Sequence, residues 1–233
     1  GAPLAYLYLL AVAAIRSRPT LPGQQPRHRF AITIPAHNED SVIGRTVTRL
    51  RQLDYPPELF DVVVVADHCS DGTAKVASEA GAIAYERNDP PRGSKGAALR
   101  WLFQRALEQN GQAGYDAVVI FDADTLVDSQ FLRIMDARLT QGDQVIQGQH
   151  RIINPDDGWF PALTWAMFVA DNRLQNQSRS NLGWSAKNMG DSICFRADVL
   201  RRLGWGEGLT EDYAFRQRLL LDGIHIRYEP AAI

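Results

Sequence analysis

Asp122 and Asp124 flank a single alanine, Ala123, at the end of an apolar run, YDAVVIFDAD. Burying one carboxylate is costly, and burying two is worse unless a cation compensates. Alternate residues of a strand share a face, so both acids can turn toward one ion as the strand ends. Hard oxygen donors suit Mg²⁺ or Mn²⁺, shared with phosphate oxygens. Taken alone, the pair also reads as two acids fraying into solvent. A second acid, Asp67, ends another apolar run, DVVVVAD, and His68-Cys69-Ser70-Asp71-Gly72-Thr73 follows it. Asp71 and Thr73 have a full structural reading as a turn and helix cap. Asp67, after four valines and an alanine, is harder to assign to packing alone.

Three further groups belong with these. Pro35-Ala36-His37-Asn38-Glu39 stands where a strand gives way to a helix. Asn38 and Glu39 there can hydrogen-bond a base or ribose, and Glu39 can also serve the helix dipole. Lys95 sits between glycines in Arg92-Gly93-Ser94-Lys95-Gly96. The GxxxxGK[ST] spacing is absent, yet a lysine at a helix start suits a phosphate; a solvated loop lysine is the alternative. Leu209-Thr210-Glu211-Asp212 reads as an N-cap with acids in the first turn, or as a carboxylate placed to take a hydroxyl proton.

The elements that must position these groups alternate. FAITIP, DVVVVAD, AIAYER, YDAVVIFDAD and QVIQGQHRI read as strands. Between them, amphipathic stretches read as helices starting near Asp40 or Ser41, near Thr73, at AALRWLFQRALEQ, and after Asp128 or Ser129. No hairpin signal intervenes, which implies right-handed βαβ crossovers and a mostly parallel α/β sheet flanked by helices. Ligands of such sheets bind outside the carboxyl ends of the strands, so HNED, HCSDGT and DAD fall on one rim. Beyond Asn154 the chain turns aromatic and amide-rich, with helical spacing through Trp165, Phe168 and Val169. SICFR and IHIRYEP read as short strands, ADVLRRLG and EDYAFRQRLLLDG as helices.

The totals bound the answer. The 233 residues suit one α/β domain, and 45% hydrophobic with 22% charged is ordinary globular composition. A net charge of -2 gives no global positive field to recruit nucleic acid or an anionic membrane. Cys69 and Cys194 are too far apart in sequence for a CxxC site and read as buried small hydrophobes. The chain opens on Gly1 rather than methionine, which reads as a start that is missing or replaced. Leu4 to Ile15 is apolar all round, then Arg16 and Arg18 follow. That stretch is shorter than the roughly 20 residues a bilayer span needs. It is expected to be the trimmed end of a transmembrane helix, ahead of an interfacial or a packing helix. The organisation expected is a partial apolar helix at 1–16, a linker at 17–29 and a catalytic domain at 30–233. The domain divides into a nucleotide-binding half, 30–150, and an acceptor-side half, 151–233.

HNE, DHCSDGT, DAD and TED in this order and spacing resemble the family 2 glycosyltransferases, which have the GT-A fold. The resemblance runs from about Phe30 to Ile233. It is closest to bacterial membrane-associated members of the cellulose-synthase-like and hyaluronan-synthase-like kind. It implies that Pro35, Ala36, Asn38, Glu39 and Asp67 hold a nucleotide's base and ribose. Lys95 would lie beside the nucleotide, and Asp122 with Ala123 near the ribose and diphosphate. Asp124, with Asp122, would ligate Mg²⁺ or Mn²⁺, and Asp212 would be the catalytic base with Glu211 placing the acceptor. The implied reaction is inverting transfer from a nucleotide sugar, UDP-hexose first, to a hydroxyl of a glycan or lipid, forming a β-linkage. The implied place is the cytoplasmic face of a bacterial inner or plasma membrane, with polysaccharide biosynthesis the expected setting.

Departures from the family pattern matter too. No QxxRW motif follows TED within these residues, since Gln217-Arg218 is followed by leucines. His68 stands where many relatives carry another polar residue. His150 reads as a strand residue ahead of a metal ligand, and His225 as a strand residue. Trp159, Trp165, Trp184 and Trp205 read as core or membrane-facing packing residues, with Trp184 in GWSAKNMGDS the best candidate to stack on a sugar. The rivals are a sugar-phosphate nucleotidyltransferase, whose glycine- and arginine-rich loop is missing after ITIPAHNED, and a non-catalytic module of the same fold.

Overall fold

A computed structural model describes residues 2–17, 19–22, 25–90, 93–108, 114–206 and 211–233. A seven-stranded sheet organises them, in the order β3-β2-β1-β4-β6-β5-β7. The strands are β1 (Phe30–Ala36), β2 (Phe60–Asp67), β3 (Ile83–Arg87), β4 (Ala117–Ile120), β5 (Val145–Gln147), β6 (Ile193–Arg196) and β7 (Ile226–Tyr228). The strands β3, β2, β1 and β4 run parallel, with Ile34 opposite Val64 and Thr33 opposite Ile120. Strand β6 is antiparallel to both β4 and β5, and β7 is parallel to β5. The sheet is therefore mostly parallel, with one reversed strand inserted between β4 and β5.

The helices are α1 (Ala2–Ala13), α2 (Asp40–Leu50), α3 (Thr73–Glu79), α4 (Lys95–Glu108), α5 (Phe131–Thr140), α6 (Trp159–Ala170), α7 (Ser178–Asn181), α8 (Ala197–Leu203) and α9 (Glu211–Leu221). They cover both faces, and β2 shows why. Its side chains alternate, so Val62 and Val64 pack with Ile43 and Val47 of α2, while Val63 and Val65 pack with Ala98 and Leu102 of α4. A strand buried on both sides must be apolar at each such position, which is what the VVVVA of residues 62–66 supplies. Each fully buried valine contributes about 1.5–3 kcal/mol. On the α4 side, Phe195, Trp205 and Phe215 form an edge-packed aromatic knot that seats α8 and α9.

Several local expectations are corrected. Helix α2 does begin at Asp40, but neither Asp40 nor Ser41 caps it. The backbone N–H groups of Glu39 and Asp40 instead donate to Thr73 Oγ1 and Asp71 Oδ2 of the following loop, at 2.8 and 3.3 Å. Helix α5 starts at Phe131, and Asp128 accepts from Gln130 N rather than capping the first turn. Strand β5 is only three residues long, because Gly148 N turns to Ser192 O and Gln149 N to Ala232 O. His225 stands just ahead of β7 rather than in it, its ring on Gly183 O.

Residues 159–181 form one continuous helical run, with π-helical geometry from Asp171 to Gln177 between α6 and α7. Helix α1 lies against that run, with Leu10 fully buried and Asn181 Nδ2 donating to the carbonyls of Ala13 and Arg16. No helix among the described residues is long and apolar enough to cross a membrane.

The segment entering β1 is tied down by one buried carboxylate. Asp136 of α5 accepts Arg27 N, His28 N and Tyr55 Oη at 3.0, 2.8 and 2.9 Å, and His28 Nδ1 lies 2.8 Å away. Burial opposes its charge, but the His28 bond and the two backbone donors outweigh that and hold its carboxyl below the usual range. A depressed carboxylate stabilises the fold above its unfolded value and loses that contribution as pH falls through the folded one. Asp136→Ala is therefore expected to cost about 3 kcal/mol at neutral pH in urea unfolding, since it strands several buried donors. The part of the gap that depends on the ionised carboxylate should vanish below about pH 4, leaving the part due to stranded donors.

Candidate active site

The carboxyl ends of β1, β2 and β4 share one rim, and two loops are stitched together there. Asn38 (φ +57°) and His68 (φ +52°) both adopt left-handed backbone at the strand exits. Asn38 Oδ1 accepts Ser70 N at 2.8 Å, and Thr73 N and Oγ1 both donate to Asp71 Oδ1. The Thr73 hydroxyl holds the Asp71 carboxyl below its ordinary value. Pro35 and Ala36 end β1, and Cys69 Sγ approaches Ala36 O at 3.6 Å. Asp67 is buried, with Oδ1 accepting Arg87 Nη1 at 2.6 Å and His68 Nδ1 3.0 Å away, while His37 Nδ1 lies 2.7 Å from its carbonyl. Gly93 rests on the same arginine: a Cβ there would stand 3.5 Å from Arg87 Nη2. The loop ahead of Lys95 is thereby joined to Asp67.

Lys95, first residue of α4, is the hub of the second cluster. Ser94 Oγ accepts Ala97 N and caps that helix. Lys95 Nζ donates to Asp122 Oδ1 and, at 3.1 Å, to Gly190 O. Asp122 N donates to Thr125 Oγ1, which donates to Asp191 Oδ2, both at 3.2 Å. Burial raises the Asp122 carboxyl above its usual range; Lys95 opposes the shift, and the charges of Asp191 and Asp124 add to it. Ala123 is buried, and Thr46 of α2 clamps its carbonyl at 2.6 Å. Asp124, the next residue, is exposed and has no hydrogen bond or ion pair within the described residues.

Two residues away from Lys95 in space stands the third group. Gly190 has φ +78°, and a Cβ on it would sit 3.7 Å from Asp212 Oδ2. Asn188 bridges the same contact, accepting Gly190 N and donating to Asp212 O. Glu211 leans on the start of α4 so closely that a Cβ on Gly96 would come within 2.7 Å of its Cγ. Thr210 and Arg92, expected beside these groups, lie outside the described residues.

Asp191 was not singled out in the sequence, though it sits in the GWSAKNMGDS loop. His150 Nε2 is 3.0 Å from its carbonyl and 3.4 Å from Oδ1. Burial disfavours charge on both, yet the bond between them wins: it raises His150 and lowers Asp191 relative to their ordinary values. His150 is thus not in a strand; it props the loop that carries Gly190. Gln147, fully buried, holds the same loop by donating to Asp191 O and accepting Met189 N. A buried glutamine after two β-branched residues was the available signal for it. Arg87, the partner of Asp67, was hidden in a strand reading. Trp184 stacks on Tyr6 of α1 at 6.3 Å, and Trp205 is core.

Among the described residues, no three His, Cys, Asp or Glu side chains converge to enclose a metal unaided. Asp124 with Asp122 offers carboxylate oxygens, the donors of a hard divalent cation, and leaves its other positions to a ligand's oxygens.

Known proteins resemble this chain in sequence and in fold. The chain is 26% identical over 213 residues to the Probable glycosyltransferase YdaM of Bacillus subtilis (strain 168), covering 88% of this chain and 50% of that protein. It is 25% identical over 210 residues to a poly-beta-1,6-N-acetyl-D-glucosamine synthase of Staphylococcus epidermidis, covering 88% and 48%. The chain thus spans about half the length of these curated relatives. Among solved structures it resembles the mannosyltransferase PcManGT from Pyrobaculum calidifontis in complex with GDP-Man and Mn²⁺, with TM-score 0.73 and 20% identity over 99% of this chain and 63% of that one. That likeness is one of fold, the GT-A fold of glycosyltransferases. The model described as Glycosyltransferase like family 2 matches residues 26–233, nearly everything from the start of β1 onward, and the chain belongs to that family.

Proposed function

We propose that this chain carries the catalytic domain of an inverting glycosyltransferase that moves a sugar from a nucleoside diphosphate to a hydroxyl acceptor. The observation that supports it is the convergence on Lys95. Its ammonium touches Asp122 and the Gly190 carbonyl, and Asp212 packs on the other side of Gly190. A donor-side cluster and a carboxylate able to act as base are therefore separated by one glycine.

Asn38, Glu39 and Asp67, with Pro35 and Ala36, would hold the base and ribose. Arg87 orients Asp67 through their hydrogen-bonded ion pair. Lys95, Asp122 and Ala123 would meet the diphosphate, and Lys95 can exchange its carboxylate partner for a phosphate oxygen at little cost in charge. Asp124, with Asp122, would hold a divalent cation, which when bound neutralises charge on the leaving diphosphate. The PcManGT complex, with its Mn²⁺, supports that reading. Asp212 would accept the acceptor's proton as the oxygen attacks the anomeric carbon, and Glu211 would help place that acceptor. One displacement with one carboxylate base inverts the centre; the paired-carboxylate geometry of glycosidases is not required.

UDP-hexose is the first donor to test, with Mn²⁺ or Mg²⁺, and a glycan or lipid as acceptor. Residues 1–16 would connect the domain to a bilayer, on its cytoplasmic side.

Asp212→Asn is expected to lower transfer about 10²–10⁴-fold while nucleotide binding stays within about twofold. Equal loss of both, measured by turnover and calorimetry, would remove Asp212 from the role of base. Asp124→Ala should erase the manganese-dependent part of thermal stabilisation by UDP or GDP. High nucleotide affinity that no longer needed metal would overturn the metal assignment, and no response to any nucleotide would point to a non-catalytic module.

A further inference from the structure

The transfer reading assigns bilayer contact to the N-terminal segment. A second surface, inside the domain, has no such role. Helix α6, WFPALTWAMFVA, has no buried residue. Trp159 is 78% exposed, Phe160 63%, Met167 62% and Leu163 51%. Only Pro161, Thr164 and Phe168, one stripe of the helix, are partly covered. A helix against water ordinarily keeps a polar outer face, and this one has none. Apolar side chains scattered singly are normal on a surface; a contiguous helix of them is not.

We propose that α6 docks this chain onto a lipid bilayer containing anionic phospholipid, with the outer side of α1 continuing the same surface. Both helices are carried by the run 159–181, since α1 packs on its π-helical and α7 portions. Leu4, Leu7 and Tyr8 of α1 are exposed as well. At about 18 Å, α6 is too short to cross a hydrocarbon core of about 30 Å, so it lies in the interface. Its tryptophans and phenylalanines are the side chains that favour that depth.

Charge identifies the partner. Asn172 Nδ2 bonds His150 O at 2.7 Å, which sets the sequence neighbours Arg173 and Arg151 beside the end of α6. Both arginines are exposed, and neither has an ion pair among the described residues. Each such cation near an anionic surface contributes about 1 kcal/mol. Asp156 and Asp157 precede α6, and Asp157 is engaged by Asn154 Nδ2 at 2.6 Å. The covered stripe of α6 adjoins the candidate site: Phe168 packs edge-on against His150, and with Leu126 and Ile153 it lines a cavity of about 670 Å³ that also contains Asp124 and Asp191.

The test is flotation of the full chain with vesicles of phosphatidylcholine, pure or with about a third phosphatidylglycerol. Phe160→Ser/Leu163→Ser/Met167→Ser should melt like the parent and lose vesicle binding at least about tenfold. Arg151→Gln/Arg173→Gln should lose roughly tenfold on the mixed vesicles and nothing on the pure ones. A parent-like α6 variant overturns the proposal, above all if Leu4→Ser/Leu7→Ser/Tyr8→Ser alone abolishes flotation. So does a lipid-free dimer that the α6 substitutions dissociate, which would make a second copy the occupant. None of these readouts depends on sugar transfer or nucleotide binding.

Discussion

The arrangement depends on one electrostatic constraint: several carboxylates brought to the same rim of a parallel sheet must be compensated. Lys95 meets that constraint in the protein alone. It stands at the head of α4, bonded to Asp122 and to the carbonyl of Gly190, while Asp191 leans on His150 and Asp67 on Arg87. Asp124 alone of these acids has no partner among the described residues. A rim so nearly balanced is suited to a ligand that brings both negative phosphate and a positive ion, because the two enter without a large net change in charge.

The supports of this constraint are distributed through the fold. Four parallel strands set the rim, and the inserted antiparallel β6 turns the GDS loop back over it. Gln147 at the end of β5 and His150 just beyond it hold that loop, and Thr46 holds the DAD turn from α2. Glycines at 93, 96 and 190 allow three side chains, Arg87, Glu211 and Asp212, to come close to neighbouring backbone. The candidate base and the candidate donor cluster are thus held near each other by Glu211 against Gly96 of α4 and by Asn188 between Gly190 and Asp212.

Much of this was legible in the residues. Continuous β-branched runs mark strands buried on both faces, and the absence of hairpin signals marks parallel crossovers, so the rim follows from pattern. The acids of HNED, HCSDGT and DAD could be placed on it for the same reason, while TED was joined to them only by the family resemblance. What stayed hidden came from pairs distant in sequence. Nothing near Glu39 announces that Thr73 supplies its cap, nothing in AIAYER marks Arg87 as the partner of Asp67, and Asp191 reads as a loop acid until His150 is found against it. The exposure of α6 was equally hidden, because an apolar run broken only by Thr164 reads alike as core or as membrane-facing when only its composition is seen.

The central claim is that these separated acids make one site for a diphosphate and a divalent cation. Anomalous diffraction from crystals grown with UDP and Mn²⁺ tests it directly. The account predicts a single manganese peak within coordination distance of Asp124 and of the diphosphate, with Lys95 on a phosphate oxygen. A manganese peak away from Asp124, or nucleotide bound elsewhere than between Asp67 and Lys95, would contradict it.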